Sequence, residues 1–293
     1  MKGREEQVRV DIPAGLTVAG SDTGAGAGVQ ADLRVMAACG VHPLTVITAL
    51  TAQNLDGVRR VEGVAVDLVE AQLKAVLEGF EVRAVKTGML WSAATVSRVA
   101  EILARRGLRP VVDPVMISTS GARLLDAEGV EALRGALLPM AALVTPNIDE
   151  ACALLALPPG SIGRGDMADA AAELARLARC PVLLKGGHLS GEPEDLLWDQ
   201  GLVRRWRRPR AEGVDTHGTG CVLSAAIAAR LAHGDGLEAA CDAGLAFVDA
   251  ALRRPHRLAS GVCVLGIERA LDGQGRGVDG REAQAGRSIH SVT

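Results

Sequence analysis

Short apolar segments alternate with segments of helical spacing along most of this chain, and this alternation restricts its fold. Leu16–Gly20, Ala84–Met89 and Pro110–Val115 are apolar and of strand length, and Ser92–Arg106 has the spacing of a helix. Strands that are separated by helices of about 10–15 residues form right-handed βαβ units around a parallel sheet. The pattern therefore predicts one α/β domain with a mostly parallel central sheet and helices on both faces.

The remaining predicted elements continue the same alternation. Further strands are expected at Leu44–Leu50, Ala142–Thr145 and Pro181–Lys185, a hairpin at Asp195–Asp199 and Leu202–Arg208, and helices at Ala27–Cys39, Asp67–Glu78, Ala127–Leu137, Ile148–Leu155, Met167–Ala178, Cys221–Ala232 and Leu237–Leu252. We take residues 16–271 as the domain, residues 1–15 as an N-terminal extension, and the polar, glycine-rich residues 272–293 as a disordered tail.

The composition predicts a cytoplasmic protein that binds neither nucleic acid nor membranes. A net charge of −3 gives no strong basic field, and the arginine-rich Arg204–Arg210 is interpreted as a solvated strand face. No apolar run reaches the ~18 residues of a membrane span, and the charged N-terminus lacks the apolar core of a signal peptide. The six cysteines are scattered without metal-ligand spacing, which argues against both a zinc site and a disulfide framework.

The stretch Val214–Gly234 begins as a glycine-rich turn and continues as an alanine-rich helix. Gly218 and Gly220 leave backbone N–H groups uncovered at the positive end of that helix, an arrangement that binds anions such as phosphate. Cys221 lies at the same end, where a thiol is expected to lose its proton more easily than a free one. The alternative from these residues alone is a tight turn into a core helix with a buried cysteine.

Two polar sequences in the first part of the chain are candidates for ligand contact. GSDTGAGAG (Gly20–Gly28) is a glycine-rich turn after a strand, in which backbone can approach a small ligand and Asp22 offers a directed acceptor. Its glycine spacing fits neither a Rossmann loop nor a P-loop. Gln53, in the sequence TAQN at the end of a strand, carries a donor and an acceptor. These could pair with the edge of an aminopyrimidine or could satisfy loop backbone.

Polar side chains also follow three later strands. Asp113, Asn147 and Glu150 carry oxygens suited to Mg²⁺ or its water shell beside a nucleotide phosphate. Asn147 and Glu150 equally fit the cap of the following helix, and the two roles do not exclude one another. Lys185 ends an apolar strand before two glycines, where a buried ammonium is costly unless it meets an anion. We expect Lys185 to contact phosphate.

Seven short sequences occur together and in order: AGSDTGAGAGVQADL, VITALTAQN, AVKTGML, VVDPVM, LVTPNIDEA, LLKGGH and DTHGTGC. Over Leu16–Leu252 this set resembles the hydroxymethylpyrimidine/phosphomethylpyrimidine kinases of thiamin biosynthesis, within the ribokinase-like superfamily. The resemblance implies a three-layer sandwich, usually in a homodimer. It also implies phosphorylation of 4-amino-5-hydroxymethyl-2-methylpyrimidine, and then of its monophosphate to the diphosphate, with ATP and Mg²⁺.

The resemblance carries site roles over position by position. At the pyrimidine end, Gln53 resembles the residue that pairs with the ring, and Gly20, Asp22 and Met89 resemble its neighbours in the pocket. The roles at the phosphate end are ATP binding by Asp113, Asn147, Glu150, Lys185 and Thr216, Mg²⁺ binding directly or through water by Asp113 and Glu150, an anion hole at Gly218, Thr219 and Gly220, phosphate contact by Lys185, and proton abstraction by Cys221.

The chain departs from this family in two places. The flap after VVDPVM (Ile117–Gly121) reads ISTSG, without the usual lysine before Ser-Gly, and Ser260–Cys263 reads SGVC where Gly-His-Gly-Pro is usual. A cation over the phosphates is thus missing from the flap, so we expect the second phosphorylation to be the weaker one.

Two alternative functions stay open from the sequence. A pyridoxal kinase belongs to the same superfamily, and Gln53 favours the aminopyrimidine over pyridoxal only modestly. A catalytically silent pyrimidine-binding protein would have lost the anion hole, the lysine or the Mg²⁺ residues, and none of these is missing here.

Overall fold

The computed structural model describes residues 11–54, 56–118, 121, 123–187, 189–211 and 213–271. The predicted tail 272–293 and residues 1–10 of the predicted extension lie outside these ranges. The strands are β1 (Ala14–Ala19), β2 (His42–Ile47), β3 (Ala49–Asn54), β4 (Gly57–Gly63), β5 (Val82–Thr87), β6 (Pro110–Val112), β7 (Leu143–Val144), β8 (Val182–Lys185), β9 (Glu194–Asp199), β10 (Leu202–Arg207), β11 (His256–Arg257) and β12 (Cys263–Val264). The helices are α1 (Gly28–Ala38), α2 (Val66–Gly79), α3 (Ala93–Arg105), α4 (Ala127–Ala132), α5 (Ile148–Leu154), α6 (Met167–Ala178), α7 (Thr219–Ala232) and α8 (Leu237–Arg253).

Within the described part of the chain, eight of these strands form one sheet in the order β10-β9-β8-β7-β6-β5-β1-β2. The six adjacent strands β8-β7-β6-β5-β1-β2 pair in parallel, whereas β9 and β10 are antiparallel to their neighbours. The predicted α/β class with a mostly parallel sheet is confirmed, and so is the hairpin that turns at Gln200 and Gly201.

Side chains that alternate along the strands pack against helices on both faces of the sheet. Val112 and Leu184 belong to the core cluster that includes residues of α2, α3, α5 and α6. Their neighbours Val111 and Leu183 belong to the cluster that includes residues of α1, α7 and α8. The structure therefore has three layers, as the family resemblance implied.

Small residues bring α7 and α8 close together. A Cβ added to Gly244 of α8 would lie 2.6 Å from Cγ1 of Ile227 in α7, so nothing larger than hydrogen fits there without movement. The small alanine side chains of α7 let neighbouring elements pack closely around it, and nine of its residues are buried, from Val222 to Ala232. This packing fixes the helix whose first turn was predicted to bind an anion.

Two predicted elements differ from those observed. The strand expected at Leu44–Leu50 ends at Ile47, and the chain then leaves the sheet to form the β3–β4 ribbon. TAQN, expected at the end of that strand, is instead part of β3, which pairs with β4. The helix expected at Ala127–Leu137 is α-helical only to Ala132 and continues as a π turn. Hydropathy cannot distinguish an apolar strand that stays in a sheet from one that turns away.

The arginine-rich strand β10 is largely exposed, as predicted, but its side chains are paired. Arg205 and Arg207 both contact Glu194, whose side chain on β9 is fully buried. Arg204 pairs with Asp242 of α8. The basic charge of this strand is therefore largely matched by carboxylates of the same molecule.

None of the six cysteines, all of which lie in the described ranges, forms a disulfide. Among the described residues, no helix is both long enough and apolar enough to cross a membrane.

Replacing Leu103 by Ala should lower the free energy of unfolding by about 2–5 kcal/mol, because the fully buried side chain would leave a cavity in the core. Leu202→Ala is the matched control, since Leu202 is 77% exposed and its loss should change stability by less than about 0.5 kcal/mol. Urea unfolding monitored by circular dichroism measures both. Equal losses in the two variants would contradict the described packing.

Candidate active site

A cavity of about 740 Å³ lies at the carboxyl ends of the parallel strands. Gly20 follows β1, Asp113 follows β6, and Lys185 ends β8, so the sheet itself brings these positions to one edge. These three residues line the cavity, and so do all the other residues that the sequence predicted for the site. Those others are Asp22, Gln53, Met89, Asn147, Glu150, Thr216, Gly218, Thr219, Gly220 and Cys221.

The turn before α7 is held in place by backbone contact. Gly218 has a φ of +80°, and a Cβ added there would overlap the carbonyl oxygen of Gly26. Among the described residues, no side chain caps α7, and the N–H groups of Gly220 and Cys221 have no acceptor. The start of α7 therefore offers uncovered donors at the positive end of a helix, which is the geometry of an anion site.

The Asp22 carboxylate organises the first glycine-rich loop. It accepts hydrogen bonds from the N–H groups of Gly24 at 2.7 Å, Gly26 at 3.0 Å and Ala27 at 2.7 Å. His217 Nε2 lies 3.4 Å from the same carboxylate. Burial would raise the pKa of Asp22, but the bonds from His217 and the loop hold that pKa below its ordinary value. Asp22 thus borders the cavity while its oxygens bind the protein's own loop.

Lys185 and Asp113 form an ion pair at the centre of the cavity wall. Lys185 Nζ lies 3.0 Å from Asp113 Oδ1, and Ser224 Oγ donates to Asp113 Oδ2 at 3.2 Å. Burial would raise the pKa of Asp113, but the ammonium groups of Lys185 and Lys86 hold it below its usual value. A Cβ added to Gly220 would lie 3.1 Å from Lys185 Nζ, so the lysine lies directly against the first turn of α7.

Asn147 and Glu150 form the helix cap that the sequence allowed. Asn147 Oδ1 accepts from the Glu150 N–H, and Glu150 Oε2 accepts from the Asn147 N–H, both at 2.8 Å. Burial raises the pKa of Glu150 to about 7; the Lys185 ammonium opposes that rise and the Asp113 carboxylate adds to it. The capping role is confirmed, and the carboxyl still borders the cavity.

The expected ease of deprotonation at Cys221 is wrong for the protein without ligands. Burial raises the pKa of the Cys221 thiol to about 11, and this effect outweighs the Lys86 ammonium and a hydrogen bond from the Gly28 N–H. A helix terminus alone lowers a thiol pKa only where the sulfur stays partly hydrated. The sequence placed Cys221 at the cavity but could not show that the packing around this half-buried residue removes water from its thiol.

Gln53, Gly20 and Met89 also line the cavity. A Cβ added to Gly20 would lie 3.0 Å from Met89 Sδ, so these two residues form a close-packed wall. The backbone N–H of Gln53 donates to Thr23 Oγ1 at 2.9 Å, whereas its side-chain amide makes no hydrogen bond with any described residue. That amide therefore remains available to a ligand.

Several residues of the site were missed from the sequence. His217 and Ser224 contact Asp22 and Asp113, and Lys86 is a fully buried lysine that borders the cavity. A lysine inside the apolar sequence AVKTGML was the available signal for Lys86, since such a residue is rarely buried without a partner. The contacts of His217 and Ser224 depend on loop geometry that no spacing encodes.

The two departures from the family pattern both adjoin the site. Ile117, Ser118 and Gly121 of the flap line the cavity, while residues 119, 120 and 122 lie outside the described ranges. In the C-terminal departure, the carbonyl oxygen of Cys263 accepts from the N–H of Asp215 at 2.8 Å, just before the anion turn. The altered C-terminal stretch thus still supports this turn through its backbone.

Replacing Gly218 by Ala should destabilise the protein by at least about 2 kcal/mol, because strain at positive φ adds to the overlap with Gly26. Gly213→Ala is the control: Gly213 has a φ of +71° but open space around it, so only about 1–2 kcal/mol of backbone strain is expected. Denaturant unfolding of both variants measures the difference. A Gly218 variant as stable as the Gly213 variant would contradict the backbone contact.

Comparison with known proteins shows which family the chain belongs to. The family model for phosphomethylpyrimidine kinase matches residues 22–265. The hydroxymethylpyrimidine/phosphomethylpyrimidine kinase of Rhizobium meliloti (strain 1021) is 47% identical over 250 residues, which cover 84% of this chain and 92% of that protein.

Solved structures show the same architecture. Phosphomethylpyrimidine kinase from Clostridium difficile 630 superimposes with a TM-score of 0.73 and 38% identity, and the match covers 83% of this chain and 100% of that one. Bacillus subtilis pyridoxal kinase, solved as an ADP complex, gives a TM-score of 0.81 and 31% identity over 88% of this chain and 98% of that one. Fold and sequence thus agree, and the chain belongs to the phosphomethylpyrimidine kinase family.

Proposed function

We propose that this protein transfers the γ-phosphoryl group of ATP to 4-amino-5-hydroxymethyl-2-methylpyrimidine, and then phosphorylates the monophosphate to the diphosphate. The observation that carries the proposal is the arrangement of the cavity. The cavity wall carries the uncommitted amide of Gln53 together with the uncovered donors of α7 and Lys185. A ring with a hydrogen-bonding edge and a hydroxymethyl arm suits these two kinds of group.

In the proposed reaction, the thiolate form of Cys221 takes the proton of the substrate hydroxyl. As that proton leaves, the hydroxyl oxygen forms a bond to the γ-phosphorus, and the bond between this phosphorus and the ADP oxygen breaks. The N–H groups of Gly220 and Cys221 and the Lys185 ammonium stabilise the charge that develops on the transferred group. These donors are held by the buried helix α7 and by the ion pair of Lys185 with Asp113, so little rearrangement is needed.

Asp113 and Glu150 are the residues that would hold Mg²⁺. Mg²⁺ prefers oxygen ligands and usually keeps several waters while it binds one or two carboxylates and substrate phosphates. The Asp113 carboxylate lies close enough to Glu150 to raise its pKa. Two neighbouring carboxyl groups of this kind fit such a site. Among the described residues, no group of three or more His, Cys, Asp or Glu residues could hold a metal ion by itself, which favours binding largely through water and phosphate. When bound, Mg²⁺ would neutralise charge on the phosphates.

A pyridoxal kinase is the second candidate activity. The observation in its favour is the close structural similarity to pyridoxal kinases, including the ADP complex of the Bacillus subtilis enzyme and the pyridoxal complex of the Staphylococcus aureus enzyme, which has a TM-score of 0.80. ATP as the phosphoryl donor is supported by the same ADP complex. The 47% identity to a named pyrimidine kinase favours the first candidate.

The proposal includes a homodimer and a cytoplasmic location. The family resemblance supports the homodimer, and six scattered cysteines without a disulfide are consistent with a reducing compartment. Sedimentation equilibrium of the purified protein measures the assembly state.

The purified protein should convert the hydroxymethylpyrimidine, with ATP and Mg²⁺, first to the monophosphate and then more slowly to the diphosphate. The second step is expected to be slower because the flap lacks the usual lysine. Ion-pair chromatography with mass detection follows both products over time, and pyridoxal serves as the parallel substrate. We expect kcat/KM to favour the pyrimidine by at least about tenfold.

Other outcomes of the same assay would favour the rivals. A higher kcat/KM for pyridoxal would favour the pyridoxal kinase. Tight binding of the pyrimidine without any consumption of ATP would favour a silent binding protein.

Replacing Cys221 by Ala should reduce kcat by ~10²–10⁴, because the reaction would lose its proton acceptor. Cys241→Ala is the matched control, since Cys241 is buried in α8 and does not line the cavity, and it should retain kcat within about twofold. Steady-state kinetics at saturating ATP measures both. A loss of kcat below about threefold in Cys221→Ala, with unchanged substrate affinity, would show that Cys221 has a packing role and is not the base.

A further inference from the structure

A fully buried ion pair borders the cavity on the side of α1. Lys86 of β5 and Asp32 of α1 are both 0% exposed, and Lys86 Nζ lies 2.7 Å from Asp32 Oδ2. Thr17 Oγ1 donates to the same carboxylate oxygen at 2.6 Å. The mechanism proposed above gives these residues no part, although Lys86 lies on the cavity wall.

Packing alone does not account for this pair. Burying two charges costs more than their attraction returns unless hydrogen bonds satisfy both groups, and apolar replacements are often as stable. Asp32 Oδ1 has no hydrogen-bond partner among the described residues. An ammonium carries three donors, and in the described ranges only one of those of Lys86 meets an acceptor. The hydrogen bonding of the pair is thus incomplete, because two of the three ammonium donors of Lys86 have no acceptor among the described residues.

Lys86 and Cys221 line the same cavity. Lys86 lies on the face of β5 that packs against α1 and α7, since Ala84, two residues earlier on the strand, belongs to the core cluster of those helices. The charged groups that act on the Cys221 thiol are Lys86 from β5, Asp32 from α1, Asp113 after β6 and Lys185 from β8. Of these charges, Lys86 has the largest effect on the thiol and is a cation, so it favours the thiolate.

We propose that Lys86 is a positioning residue for phosphoryl transfer: held by Asp32, its ammonium stabilises the thiolate of Cys221 that accepts the substrate proton. The inference rests on the proposed role of Cys221 as the base. Lys86 acts through Cys221 and touches no reacting atom. Asp32 has the complementary task of fixing the ammonium and keeping it charged in the core.

The direction of the effect follows from the charge. A cation beside a thiolate lowers the thiol pKa, so removal of Lys86 raises it further above the value of about 11 set by burial. Each unit of increase reduces the thiolate fraction about tenfold at a given pH below the pKa. The lost activity should therefore return as the pH rises, which a purely structural defect would not produce.

The first experiment compares pH–rate profiles of the wild type, Lys86→Met and Lys86→Arg with the pyrimidine substrate. In Lys86→Met, kcat at pH 7.5 should fall at least about tenfold, the rising limb should move to higher pH, and KM for ATP should stay within about threefold. Lys86→Arg should restore part of the rate, because it keeps the cation. An equal loss at every pH would overturn the proposal.

The second experiment needs no kinase activity, so it separates this inference from the proposed function. The rate of alkylation of Cys221 by iodoacetamide is measured at pH 8.5 by peptide mass mapping, with Cys221→Ala as the assignment control. We expect Lys86→Met to slow alkylation at least threefold, since a less abundant thiolate is partly offset by its greater nucleophilicity. An unchanged alkylation rate would overturn the proposal even in an active enzyme.

Two further variants guard against misreading a folding defect. Arg164→Met removes a cation from another buried carboxylate, Glu194, and neither residue lines the cavity. It should leave the pH profile and the alkylation of Cys221 unchanged. If Lys86→Met is insoluble, the double variant Lys86→Met/Asp32→Asn, which leaves no buried charge unpaired, is put through both measurements. Slower alkylation is expected there too, and wild-type behaviour would overturn the proposal.

Discussion

Two glycine-rich segments meet backbone to backbone beside the cavity, and the geometry of the site depends on this contact. Gly218 has no room for a Cβ against the Gly26 carbonyl, and a Cβ on Gly28 would lie 2.5 Å from the Gly20 carbonyl. Since α1 begins at Gly28 and α7 at Thr219, the contact brings two helix N-termini together. The glycines at these two approaches have no side chain, so the positive ends of both helices lie near one point.

The buried charges around this point occur in pairs of opposite sign. Lys185 faces Asp113, Lys86 faces Asp32, and His217 faces Asp22. Paired in this way, the ions limit the cost of removing charge from water. The backbone N–H donors of α7 then remain as uncompensated positive potential in the cavity wall. A phosphate group would meet donors there instead of a surplus of carboxylates.

Most of the fold was predictable from the sequence because parallel sheets follow simple rules of alternation. Polar residues at strand ends, such as Asp113 and Lys185, had to lie at one edge once the strands were known to be parallel. The β3–β4 ribbon was not predictable, because Thr48 marks the exit from the sheet without any glycine or proline. The raised pKa of Cys221 was missed for a related reason, since burial depends on what covers a residue.

The burial of α7 has a consequence for how the cavity responds to a ligand. Nine residues of this helix lie in the core, and Gly244 of α8 packs against it without a side chain. A helix held on this scale opens only with a large part of the domain, so the hydrogen-bonded N–H groups in its interior should exchange with solvent slowly. The dipoles that face a transferred phosphoryl group thus contribute little reorganisation energy during the reaction. Any movement that admits substrate and releases product has to come from the loops around this helix.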